Sequence, residues 1–187
     1  DDLREERSHS VSLSADLYHT FGKVQTNLLV EGFYTILDDV FALRDMDDAA
    51  DGGKVKERYN GSGATVRGFN VEGRAAFTRW FELQAGVTLQ QSRYKEPEFW
   101  SEDAEVPPVR RMFRTPDAYG YFTASFKPVR NFTADLSGTC TGSMLVQHMA
   151  GSGVAQDVAV STPSFFDMNI RLSYDVRIYK EITMQLY

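Results

Sequence analysis

The sequence has almost no cysteine, no long apolar run and no basic excess, and each shortage removes a class of function. One cysteine, Cys140, in 187 residues excludes an intrachain disulfide framework and a multi-cysteine metal site. The longest apolar run is Val40-Phe41-Ala42-Leu43, far below the ~20 residues that a membrane helix requires. Any path through a membrane would have to use strands. Lys and Arg total 20 against 26 Asp and Glu, a net charge of -6, whereas proteins that hold nucleic acid usually carry a basic footprint. A nucleic-acid partner is therefore not expected. His9, His19 and His148 are dispersed, and with no Ser-His-Asp or His-x-x-x-His spacing neither a catalytic triad nor a zinc site is expected, so the chain does not read as an enzyme. The opening residues Asp1 to Arg7 are charged and lack the apolar stretch of a signal peptide. The expectation is a removed leader or an internal piece of a longer chain.

Aromatic residues are plentiful, with 13 Phe and 9 Tyr, and their spacing has period two. From Phe166 to Arg177, the residues Phe166, Met168, Ile170, Leu172, Tyr174 and Val176 alternate without exception with Asp167, Asn169, Arg171, Ser173, Asp175 and Arg177. From Phe81 to Ser92, Phe81, Leu83, Ala85, Val87 and Leu89 alternate with polar residues in the same way. A helix would mix the two sets on one face, so both segments predict two-faced strands. The same pattern recurs in Val11 to His19, Val24 to Ile36, Val66 to Phe77, Gly120 to Phe126, Phe132 to Gly142 and Ile182 to Tyr187. These make eight expected strands and no helix. Cys140 falls in the apolar register with Phe132 and Leu136, as an inert packed or lipid-facing thiol would.

The connections alternate between short and long. Short ones are expected at residues 21–23, 78–80, 127–131 and 179–181, and long polar ones at about 38–59, 93–118 and 145–163. Long loops gathered at one end, tight turns at the other and strands long enough for the ~9–11 residues of a tilted crossing are the habit of outer-membrane barrels. Phe21, Trp80, Phe81, Phe132 and Tyr179 cluster by the short turns, as an aromatic girdle would. The fold expected is all-β: antiparallel, up-and-down strands of a transmembrane β-barrel. With short turns placed inside, the first strand begins and the eighth ends on the outer side, whereas single-chain barrels start and finish inside. Residues 1–187 are thus expected to be part of a larger barrel domain.

Three stretches carry a family resemblance. Residues 61–73 hold the glycine-marked strand Gly68-Phe69-Asn70-Val71-Glu72, followed by Gly86-Val87-Thr88; residues 114–121 hold Arg114-Thr115-Pro116; and residues 162–172 resemble a penultimate hairpin. In this order they resemble the C-terminal part of the barrel of TonB-dependent outer-membrane receptors of the ferric-siderophore and cobalamin type. The resemblance implies a barrel of roughly 22 strands, of which these would be about strands 14 to 21. It also implies the bacterial outer membrane, contact with lipid and lipopolysaccharide, uptake of a small-molecule or metal-chelate ligand, and TonB acting through a plug domain that these residues do not include.

Two candidate sites fall in the long connections. Asp45, Asp47, Asp48 and Asp51, with Gly52 and Gly53, could hold a structural calcium, a hard cation that prefers carboxylate oxygens. No other cofactor is expected. Phe99, Trp100, Arg110, Arg111 and Arg114 could hold an anionic ligand through bidentate and cation–π contacts. On the polar strand faces, Glu72, Arg74, Asp167, Arg171, Asp175 and Arg177 are expected to pair with one another or with a plug. Two other readings stay open: a small outer-membrane barrel acting as anchor or adhesin, and a soluble lipocalin-like barrel with its apolar face turned inward.

Overall fold

In a computed structural model, residues 3–46, 55–101, 103, 105–180 and 182–187 are described. They form thirteen strands and no helix: β1 (Arg7–Phe21), β2 (Val24–Asp38), β3 (Phe41–Met46), β4 (Val55–Asn60), β5 (Ala64–Thr78), β6 (Phe81–Glu98), β7 (Val109–Arg111), β8 (Ala118–Phe126), β9 (Phe132–Thr141), β10 (Leu145–His148), β11 (Val158–Ser161), β12 (Phe165–Tyr179) and β13 (Ile182–Leu186). The eight expected strands are present as one meander, β1-β2-β5-β6-β8-β9-β12-β13. Every neighbouring pair in it is antiparallel. The sheet is open, since among the described residues β1 and β13 each pair with a single neighbour.

Five further strands correct the expectation that the long connections are plain loops. β3 pairs with β4, β10 pairs with β11, and β7 lies along the outer end of β6. Each has 3 to 6 residues, and none of them alternates cleanly between apolar and polar residues, so period two gives no signal there. β6 itself runs 18 residues, beyond the Ser92 at which its alternation fades.

The register lines up all eight apolar sets, with Leu186 and Met184 of β13 opposite Tyr174 and Val176 of β12, and the other seven strands in continuous rows. One row runs Ala15, Val30, Val71, Val87, Gly120, Cys140 and Phe166, and another Leu17, Leu28, Gly73, Ala85, Phe122, Gly138 and Met168. A slip of one residue anywhere would turn a whole strand over, so a single apolar face constrains every pairing at once. That face is the more exposed one: in β2, Leu28, Val30 and Tyr34 are exposed while Leu29, Glu31 and Phe33 between them are half-buried. Ile170 is 73% exposed, and Ala64 is the one buried apolar residue among those described. A soluble barrel would show the reverse, because its apolar face must escape water. The lipocalin-like reading is therefore set aside.

At the short-turn end the aromatic side chains meet. Trp80 stands edge-on to Phe126 with ring centroids 5.3 Å apart, and Phe77 stacks on Phe81 at 5.5 Å. Of these, Trp80 combines an apolar ring with a polar indole N–H, the combination enriched at membrane interfaces, and the phenylalanines pack beside it.

Candidate functional site

The site is built at the opposite end, where the three long connections are tied into one layer. The hydroxyl of Tyr59 donates to Glu98 Oε1 at 3.3 Å, joining the first connection to the second. Lys95 pairs with Asp38, and the Lys95 amide donates to the Gly63 carbonyl at 3.1 Å. The second connection is joined to the third by a parallel bridge between Phe113 and Leu145, reinforced by the Arg114 amide donating to the Leu145 carbonyl at 2.8 Å. Asp157 completes the layer, accepting from Ser101 Oγ at 2.6 Å and from the Ala150 amide at 2.7 Å. These two bonds favour the ionised form and hold the Asp157 carboxyl below the usual carboxylate range.

Beneath this layer lies a cavity of about 260 Å3. The first connection contributes Val40, Phe41, Ala42 and Gly61 to Gly63, with Ala64 at the start of β5; the second contributes Tyr94, Glu98, Phe99, Trp100, Met112 and Phe113; the third contributes Gln147. Trp100 and Phe113 meet edge to face at 5.5 Å, and Phe99 stands at the edge, 74% exposed. The wall depends on Gly63, whose φ of +84° and whose position, 2.1 Å from an added Cβ to the Leu37 carbonyl oxygen, admit no side chain.

Of the residues expected to bind ligand, Phe99 and Trp100 line this cavity, while Arg110, Arg111 and Arg114 are not in its wall. Arg110 donates to the Lys95 carbonyl at 2.9 Å and lies 3.8 Å from Glu96. Arg111 donates to the Ser143 carbonyl at 2.7 Å and pairs with Asp117 at 3.2 Å. Arg114 takes a left-handed backbone, φ 55°, at the bridge to the third connection. Arg110 and Arg111 thus bind the connections themselves. Phe41 and Tyr94 line the cavity without having stood out in the sequence. Phe41 sits in the short apolar run, and Tyr94 continues the polar-face register Gln90, Ser92, Tyr94 past the point where alternation fades. Of the calcium candidates, Asp45 lies in β3, and Asp47, Asp48 and Asp51 lie outside the described residues.

The polar face of the sheet carries ordered networks below the cavity. Thr88 donates to Asn70, which donates to Glu31, at 2.8 and 3.0 Å. Gln84 donates to both Glu72 and Tyr121, and Tyr121 donates to Glu72. The six charged residues expected to pair with one another or with a plug make no direct pair with one another. Arg74 pairs with Glu82, Arg177 donates to the Lys180 carbonyl, and Arg171 reaches Gln185, which in turn donates to Asp175. Register explains this: partners meet across strands, and Gln185 stands opposite Asp175. Among the described residues no three His, Cys, Asp or Glu side chains converge to hold a metal.

Residues 1–187 match the family described as TonB dependent receptor-like, beta-barrel. No curated protein matches the chain. Among solved structures it is similar to the copper transporter OprC, with 10% identity and TM-score 0.62, over 99% of this chain and 25% of that one. It is also similar to the ferric-catecholate import receptor Fiu from E. coli K12, with 15% identity, TM-score 0.64 and coverage of 98% and 23%. A third is the FrpB iron transporter from Neisseria meningitidis, with 12% identity, TM-score 0.58 and coverage of 93% and 25%. These likenesses concern the fold, and the chain spans about a quarter of each transporter's length.

Proposed function

The chain belongs to the TonB-dependent receptor β-barrel family, and from that membership we propose that it forms part of an outer-membrane receptor that imports a scarce nutrient. The family match over residues 1–187 carries this reading. The exposed apolar face supports it, because a sheet that turns Leu13, Ile170 and Leu172 outward is stable only where hydrocarbon replaces water. In this reading the apolar face meets lipid and lipopolysaccharide, and the polar networks line the passage beside a plug. The layered connections form part of the external vestibule. Energy reaches the barrel from TonB through the plug, and the cargo is a metal chelate such as a ferric siderophore, or cobalamin. Strands, turns and loops act by shape and polarity, with no covalent step.

The test is uptake. Cells lacking the full-length receptor are compared with the parent strain under metal limitation, with radiolabelled ferric chelates, copper and cobalamin supplied in turn. The expected result is loss of uptake for one cargo, with the same loss when TonB is inactivated in the parent. Unchanged uptake of every cargo would overturn the proposal in favour of an anchor or adhesin.

A further inference from the structure

The cavity's chemistry does not match an anion. Its wall has five rings, Phe41, Tyr94, Phe99, Trp100 and Phe113, and one acidic side chain, Glu98, with no Lys or Arg. The nearby guanidiniums of Arg110 and Arg111 are bound to backbone carbonyls and carboxylates of the connections. An anionic group placed here would lose water beside a carboxylate, and the wall offers it one unpaired donor, the buried indole N–H of Trp100, with no cationic side chain. A cation would meet the Glu98 carboxylate and aromatic rings instead. One wall ring already draws a cation: the guanidinium carbon of Arg58 lies 5.7 Å from the centroid of Phe41.

We propose that this cavity is an aromatic cage for an ammonium or quaternary ammonium group on the imported ligand, with Glu98 as its counter-charge. The inference rests on reading the connections as a ligand vestibule, and it adds the charge and class of the group recognised there. Size agrees: a cavity of ~150 Å3 holds benzene, so about 260 Å3 admits a trimethylammonium head. Tyr59 donates to Glu98 Oε1 and steadies the carboxylate at the wall. Phe99, 74% exposed, is placed to be covered by the bound group. Arg58 already occupies one side of Phe41, so a further cation is captured by the other rings together with Glu98.

The probes are choline and its neutral carbon isostere 3,3-dimethylbutan-1-ol, titrated against the purified full-length receptor by saturation-transfer NMR of the methyl protons. Choline is expected to bind at least about tenfold more tightly than the isostere. Glu98→Gln, which keeps the side-chain shape, should weaken choline severalfold and leave the isostere unchanged. Trp100→Ala should weaken both, and Trp100→Phe should restore most of the choline binding. Equal affinity for the two probes, or binding of neither, overturns the cage. The transport reading is judged separately by uptake in cells. A receptor that transports but does not prefer choline defeats the cage alone, and one that prefers choline but supports no uptake defeats the transport reading alone.

Discussion

The phenol of Tyr121 on β8 crosses Gly86 on β6 and donates a 2.5 Å hydrogen bond to Glu72 on β5. A Cβ at Gly86 would lie 2.7 Å from Tyr121 Cε1, so the missing side chain is what lets the ring lie flat across the strand. Gly86 and Glu72 belong to the glycine-marked stretches that resemble the family, and this contact gives those residues a physical reason. Tyr121→Phe is expected to cost about 1 kcal/mol of barrel stability. Gly86→Ala should displace the ring, so that Tyr121→Phe adds little in that background. A double-mutant cycle on the full-length receptor unfolded by urea in detergent checks this, and additive losses would show that the two residues are not coupled.

In the proposed reading the exposed apolar face meets lipid, and its residues should reject charge. Ile170→Arg or Leu172→Arg is expected to destabilise assembly by about 2–4 kcal/mol each, as for a charge near the midplane. Asn169→Arg, on the opposite face, should be close to neutral. Heat-modifiable migration on gels after membrane assembly distinguishes the two, and normal assembly of the first pair would mean the faces are reversed.

Gly63→Ala should loosen the outer end of the β2–β5 pair. The left-handed backbone alone costs about 1–2 kcal/mol for a residue with a Cβ, and the clash with the Leu37 carbonyl adds to it. Faster hydrogen exchange at the outer ends of β2 and β5, with the short-turn end unchanged, is the expected signature.

The tie between Ser101, Ala150 and Asp157 should respond to acid. Its carboxyl is held below the ordinary range in the folded state, so its contribution is complete above the unfolded pKa of about 3.9. It is lost as pH falls from there through the folded value. Exchange protection of the Ala150 amide, corrected for intrinsic rate, should decline below about pH 4. Asp157→Asn should show reduced protection without that pH dependence, and protection that stays flat in the wild type would remove Asp157 from the tie.

Period-two alternation, as in Phe166 to Arg177, determined the eight strands of the meander, their two faces and their turns, because one face must stay apolar along the whole strand and a slip of one residue inverts it. The short turns and the aromatic belt followed from the same pattern. The outer layer was a different matter. β3, β4, β7, β10 and β11 show no clean alternation of apolar and polar residues, and although each pairs within its own connection, the layer they build is held by contacts between connections far apart in sequence. Phe99 and Trp100, which line the cavity, were legible as candidates because they stand together in a polar loop, yet Phe41 and Tyr94 join them only through the pairing that brings residues 41 and 94 to one cavity. The guanidiniums beside them pointed in the sequence to an anion, and the tertiary structure turned Arg110 and Arg111 to carbonyls and carboxylates of neighbouring connections. A sequence records which charges are present; the partner each one meets depends on loop geometry, and that decides the charge left facing a ligand.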